Sequence, residues 1–78
     1  MTDNTYRVIE VIGTSKVGTD EAIANAVHRA SQTVENLDWF EVVQVRGYIV
    51  GGAVDHFQAH LKLGFRLKPL SSTGGDAR

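Results

Sequence analysis

One stretch limits what this chain can fold into more than any other. Over residues 56–67, Phe57, Ala59, Leu61, Leu63, Phe65 and Leu67 alternate strictly with His56, Gln58, His60, Lys62, Gly64 and Arg66. Successive side chains of a strand point to opposite faces, so a period of two means one apolar face and one polar face. Residues 39–50 (WFEVVQVRGYIV) are rich in β-branched and aromatic side chains and read as a second strand. Gly51-Gly52 lies between the two as a turn signal, so 39–50 and 54–67 are expected to form an antiparallel hairpin. Pro69 stops the long strand, and 70–78 (LSSTGGDAR) reads as a flexible tail.

The region before the hairpin adds one strand and one helix. Residues 1–4 carry no pattern and are expected to fray, whereas 6–12 (YRVIEVI) reads as a strand. Gly13-Thr14-Ser15 is expected to end it. Ser15 or Thr19 is placed to cap the helix that follows, with Asp20 and Glu21 favourable in its first turn. Ile23, Ala26, Val27, Ala30, Val34 and Leu37 recur every three or four residues, which predicts an amphipathic helix to about Asn36. Asn25, Arg29, Gln32 and Glu35 fall on its polar side, and alanines at 22, 26 and 30 let it lie close to a sheet. The expected order is β-α-β-β, an α+β subunit without internal repeats.

Such a chain has a burial problem. Its 78 residues form a single small domain, and small scaffolds usually need a disulfide, a metal or oligomerisation. There is no cysteine, which removes disulfides, thiolate nucleophiles and thiolate metal sites together. His56 and His60 share a strand face but stand roughly 13 Å apart along it, too far to ligate one metal within a subunit. His28 belongs to the helix. A strand of about fourteen residues spans roughly 45 Å, and a helix of about twenty covers only about 30 Å. Part of the sheet must find other cover, which makes self-association the default expectation.

The charge balance, eight Lys and Arg against nine Asp and Glu, disfavours nucleic acid as the main partner. Apolar runs are too short for a transmembrane helix, and no signal-like segment opens the chain, so a cytoplasmic location without membrane association is expected.

Candidate functional residues each admit two readings. Trp39, the only tryptophan, is either a core or interface anchor or a stacking surface for a planar ligand. Gln58 on the polar strand face is either solvated or, if assembly covers it, a paired carboxamide offering both a donor and an acceptor to a heteroaromatic edge. Arg29, Arg46 and Arg66 serve either solubility or contacts to an anionic group such as a phosphate. Gly13-Thr14-Ser15 lacks both a G-x-G-x-x-G and a Walker pattern and reads as a plain turn. No nucleophile–base order or paired-carboxylate motif stands out, and spacing assigns no acid–base role to Glu10, Glu41 or Asp55.

The pieces VIEVIGTS (8–15), HRASQTVENL (28–37), DWFEVVQVRG (38–47) and FQAHLKLGFRL (57–67), in this order and at this length, resemble the dodecins, small flavin-binding proteins of bacteria and archaea. The resemblance is of the bacterial type and covers a domain at 5–68, leaving 1–4 and 69–78 as flexible termini. It implies a three-stranded antiparallel sheet wrapped around the helix and a hollow homododecamer of cubic symmetry. It further implies flavins bound in stacked pairs between symmetry-related tryptophans. Trp39 matches the stacking tryptophan, Gln58 the glutamine that hydrogen-bonds the isoalloxazine, and Arg46 an arginine near the flavin and its side chain. Arg29 and Arg66 are weaker candidates for phosphate contacts, including those of the coenzyme A that some bacterial members bind. The ligand implied is FMN, riboflavin, FAD or lumichrome. The function implied is storage or buffering of flavin with quenched photochemistry and no substrate turnover. Competing expectations are a coenzyme A-binding or structural shell without flavin, and a small oligomeric enzyme on the same scaffold.

Overall fold

A computed structural model describes residues 3–68. The tail expected at 70–78 and the first two residues of the expected fraying segment lie outside the described residues. Within them the chain forms β1 (Tyr6–Ser15), α1 (Thr19–Ser31), β2 (Leu37–Val50) and β3 (Ala53–Arg66). The three strands make one antiparallel sheet in the order β1-β3-β2, with α1 against it, which is the α+β subunit the sequence predicts.

Alternation in β3 governs the packing. Ala59, Leu61 and Leu63 point to the helix and are buried. Ala22, Ala26 and Ala30 meet them, four residues apart along one side of α1. Ile9 and Val11 of β1, with Ile23, Val27 and Leu37, complete the core. Small side chains on the helix allow a close approach, closest at Gly13. A Cβ at Gly13 would run into the Ala22 carbonyl and the Ala26 side chain. Gly13 pairs with Ala59 inside the ladder, so β1 continues to Ser15 instead of ending at Ile12.

Neither expected cap residue occupies the cap position, which is taken by Gly18, a residue with no side chain to cap the first turn. Ser15 organises the preceding loop instead. Its Oγ accepts from the Val17 and Gly18 backbone N–H groups at 2.9 and 3.4 Å and donates to Glu21 Oε1 at 3.0 Å.

The helix also stops earlier than about Asn36. It ends at Ser31, where the Gln32 and Thr33 N–H groups turn back to the Arg29 and Ala30 carbonyls in a tightened last turn. Asn36 then adopts a left-handed backbone, φ 66°, and swings the chain into β2. Its carbonyl accepts from the Arg66 N–H at 3.0 Å, tying the corner to the end of β3. Val34 and Leu37 therefore extend the apolar spacing without being helical.

β2 and β3 join through Gly51-Gly52, both at positive φ (60° and 81°), the geometry of a two-residue type I′ turn. Three register irregularities in β2, between Leu37 and Trp39, Val42 and Gln44, and Tyr48 and Ile49, bend the strand. A thirteen-residue helix is about 20 Å long and each hairpin strand has fourteen residues. The described chain measures 60 × 20 × 18 Å, and the hairpin end is left uncovered: Tyr48, Ile49, Val50 and Val54 are all more than half exposed.

Candidate functional site

The sheet face turned away from α1 collects the chemistry. Register places Tyr6, Val8, Glu10, Ile12 and Thr14 of β1 beside the polar residues of β3, and Trp39, Glu41, Gln44, Arg46 and Tyr48 of β2 on the other side. Four of the five candidate residues are on this face, in two separate groups.

The first group is built on Trp39, which pairs with Gly64. The indole lies directly over that glycine; a Cβ there would fall inside the ring, against Cε2, Cζ2 and Cδ2. One face of the indole is thus closed by the sheet, yet Trp39 remains 40% exposed. Tyr6 flanks it, with ring centroids 6.2 Å apart and planes tilted by 58°. The Tyr6 hydroxyl donates to Asp38 Oδ2 at 3.1 Å, and Arg66 Nη1 donates to the same oxygen at 3.4 Å. Arg66 therefore belongs to the tryptophan group, with its guanidinium partly neutralised by Asp38.

Gln58 and Arg46 form the second group, directly opposite each other in the β2–β3 ladder. Arg46 donates from Nη1 to Gln58 Oε1 at 3.3 Å and from Nη2 to Gln44 Oε1 at 2.6 Å. Gln58 Nε2 is 3.4 Å from His56 Nε2, and His56 Nδ1 is 2.7 Å from Asp55 Oδ2. Tyr48 stacks on the His56 ring at 4.7 Å. The hydrogen bond from His56, and then the charge of Lys16, hold the Asp55 carboxyl below its ordinary value. A carboxamide has two acceptor lone pairs and two N–H donors, so Gln58 keeps one of each after these contacts.

The two groups are not in reach of one another. Gly64 and Gln58 are six residues apart on β3, about 20 Å at roughly 3.3 Å per residue. A ring stacked flat over the Trp39–Gly64 pair therefore sits well along the ladder from the Gln58 of the same subunit. Arg29 is elsewhere again. It is an exposed helix residue beside Asn25, lining a groove between α1 and β1 with Ile9, Ile12 and Val34. Asn25 Nδ2 donates to the Thr14 carbonyl there at 3.0 Å.

His56 and His60 stay apart, as their spacing requires: His60 Nε2 lies 2.6 Å from Glu10 Oε1. Among the described residues no three His, Cys, Asp or Glu side chains gather in a way that would hold a metal ion. None of the helices there is long and apolar enough to cross a membrane.

Sequence reasoning placed Asp38 next to the tryptophan but missed Gly64 and Tyr6 as its neighbours and the bonds that Asp38 makes to Tyr6 and Arg66. The available signal was the glycine itself, which interrupts an otherwise bulky polar series His56, Gln58, His60, Lys62, Arg66 where it faces Trp39.

A half-bare indole and an amide–guanidinium pair on one open sheet face describe a small ligand-binding domain. The chain belongs to the dodecin family: the family model described as Dodecin matches residues 5–68. A curated Thermus thermophilus protein named Dodecin is 44% identical over 63 residues, spanning 81% of this chain and 91% of its own. The Streptomyces coelicolor dodecin structure superposes with a TM-score of 0.83 at 62% identity, covering 88% of this chain and 99% of that one. Solved variants of the Thermus dodecin, two with an arginine replaced by alanine and one with a tryptophan replaced by phenylalanine, match at 40% identity and TM-scores of 0.80 to 0.81. They cover 86% of this chain and at least 98% of theirs. A Mycobacterium tuberculosis structure described as a calcium dodecin with a calcium-binding site is more distant, at 29% identity and a TM-score of 0.72, covering 83% of this chain and 93% of its own.

Proposed function

We propose that this protein binds and holds flavin at contacts between its own copies, in a hollow homododecamer, without turning over a substrate. The observation that carries the reading is the Trp39 platform, an indole with one face closed by Gly64 and the other available for stacking. The resemblance to flavin-binding dodecins supports a flavin ligand, and an exposed indole face suits the stacking of one. Trp39 supplies the stacking plane. Gln58, with an acceptor and a donor to spare, suits the alternating polar edge of an isoalloxazine ring. Arg46 fixes the Gln58 carbonyl and brings positive charge beside it.

The separation of Trp39 from Gln58, about 20 Å along β3, supports assembly. A ring that meets both Trp39 and Gln58 takes them from different subunits, so the site is incomplete in a monomer. The exposed apolar side chains of β2 and the bare hairpin end give such subunits surface to bury. A closed inner face also limits each tryptophan to one ring, in keeping with a stacked pair held between two symmetry-related indoles.

The Thermus variants add support. The tryptophan and two arginines replaced in them are separated by 7 and 27 residues, the same intervals that separate Trp39 from Arg46 and Arg66. Arg66, already engaged by Asp38, is a candidate phosphate contact for FMN or FAD; riboflavin and lumichrome need none.

When bound, an isoalloxazine supplies a photoexcitable ring that an adjacent indole quenches by electron transfer. The protein's part is to stack it, bond its edge and exclude solvent, which amounts to storage and photoprotection. The test is a titration of riboflavin and FMN with apo-protein of known particle mass. Quenching that saturates near one flavin per subunit on a dodecameric particle is the expected result. An intact particle that leaves flavin fluorescence unchanged would remove flavin from the reading, and a monomeric particle would remove the shared site.

A second reading rests on Arg29. Its groove is separate from the flavin surface and joins one guanidinium to apolar walls, which suits the phosphate and apolar portions of coenzyme A. Calorimetric titration with coenzyme A on flavin-saturated protein separates the two sites: heat that persists under saturation supports the second, and its absence removes it.

A further inference from the structure

Trp39 stands across from Gly64 in the β2–β3 ladder, where every other outward-facing β3 position from His56 to Arg66 carries a long polar side chain. The indole takes up the space a side chain at 64 would fill. All three atoms nearest a Cβ at that position belong to the Trp39 ring system. Gly64 itself is buried, although it lies on the open face, and the indole is what buries it. The backbone does not require glycine there, since Gly64 is not among the positive-φ glycines, which are Gly51 and Gly52. A missing side chain at an otherwise ordinary strand position is therefore about space, and the space is occupied by Trp39.

We propose that Gly64 is the positioning residue of the planar-ligand site: its missing side chain sets the depth and tilt of the Trp39 indole and so the height at which a ring stacks on it. The inference rests on the flavin reading above and extends it to a residue that does not touch the ligand. Two contacts complete the seat. Tyr6 stands at the side of the indole, and its hydroxyl is anchored on Asp38, the residue before Trp39. The register irregularity between Leu37 and Trp39 brings the tryptophan into line with Gly64. The glycine sets depth, the tyrosine lateral position. A methyl group at 64 must push the ring outward or tip it, and stacking loses overlap steeply with such a shift.

The experiment compares Gly64→Ala with Gly47→Ala. Gly47 is in the same hairpin, and an added Cβ there meets only ordinary contacts, 3.6 Å from the His56 carbonyl oxygen and 3.9 Å from Val54 Cγ1. The first readout uses apo-protein: near-UV circular dichroism of Trp39 and quenching of its fluorescence by acrylamide. The second is riboflavin affinity from flavin fluorescence. In Gly64→Ala the Trp39 dichroism band should change, acrylamide quenching should rise and riboflavin affinity should fall tenfold or more, while Gly47→Ala tracks wild type. An apo-protein unchanged in both Trp39 signals overturns the proposal, as does a perturbed indole with undiminished riboflavin affinity.

Should Gly64→Ala fail to fold, the double variant Gly64→Ala/Trp39→Ala is expected to restore folding by removing the collision; a double variant that also fails overturns the proposal. If wild-type protein binds no riboflavin, the flavin reading falls, and with it the ligand half of this inference. The apo-protein signals still report whether Gly64 seats the indole.

Discussion

The two faces of the sheet are built from the same three strands and follow opposite rules. On the covered face Ala59, Leu61 and Leu63 are at or near zero exposure and meet the alanine row of α1. The β2 residues that pair with these three, Phe40, Val42 and Val45, share that face but remain 40–50% exposed, beyond the cover that α1 gives. The open face carries an indole, two carboxamides, two guanidiniums, two imidazoles and several carboxylates, joined in short hydrogen-bonded runs with capacity to spare. The covered face accounts for the stability of the subunit. The open face is where polar groups keep bonding capacity for a ligand, and the uncovered β2 end of the helix side is where apolar surface is left for other copies.

This contrast can be broken by substitution. The largest loss of stability should come from Leu61→Ala, which empties the centre of the covered face and costs about 2–5 kcal/mol. Urea unfolding at fixed protein concentration measures it; a loss well under that range would mean that this face is not the core. Gly13→Ala comes next. Its methyl collides with the backbone of α1, an overpacking worth about 1–3 kcal/mol, and the same unfolding curves should show it.

Trp39→Ala sharpens the contrast from the other side. We expect the far-UV circular dichroism of the sheet and helix to persist while riboflavin quenching disappears. Retention of quenching would detach the open face from flavin altogether. The smallest effect belongs to Asp55. Its carboxyl is held below its ordinary value mainly by the hydrogen bond from His56, so its contribution is present at neutral pH and drains away as pH falls through the lowered folded value. The stability difference between wild type and Asp55→Asn should therefore be small at neutral pH and vanish in acid. A difference that grows on acidification would reverse the sign argued here. Both partners are substantially solvent-accessible, which keeps the effect small.

Much of the covered face was legible in the sequence because burial imposes periodicity. The β3 alternation, the diglycine turn and the alanine spacing each name a geometry directly. The helix end was not legible. Val34 and Leu37 keep a helical spacing after the helix has stopped, and Leu37 still packs against the same core from the start of β2. The closing signal was Asn36, a residue type that tolerates the left-handed backbone it adopts. Gly13 misled for a related reason. Glycine commonly marks a break, but here it marks close approach inside a continuing strand.

On the open face, residue types were legible and distances were not. Trp39, Arg46, Gln58 and Arg66 could be chosen from the sequence. That they fall into two groups about 20 Å apart depends on the β2–β3 register, which three irregularities shift along its length.

The strand order β1-β3-β2 also sets a timetable. Synthesis makes β1 first, yet among the described residues its ladder partner is β3, the last of the three strands to be made. Until then Ile9 and Val11 have no sheet to join, and α1 has only its contacts with β1. The β2–β3 hairpin closes through two residues and can zip locally on a microsecond scale. Docking β1 onto it joins residues up to 60 positions apart, Tyr6 to Arg66, and must wait for that hairpin. A nascent chain of this kind keeps apolar surface uncovered until its central strand arrives, and only then can the subunit close.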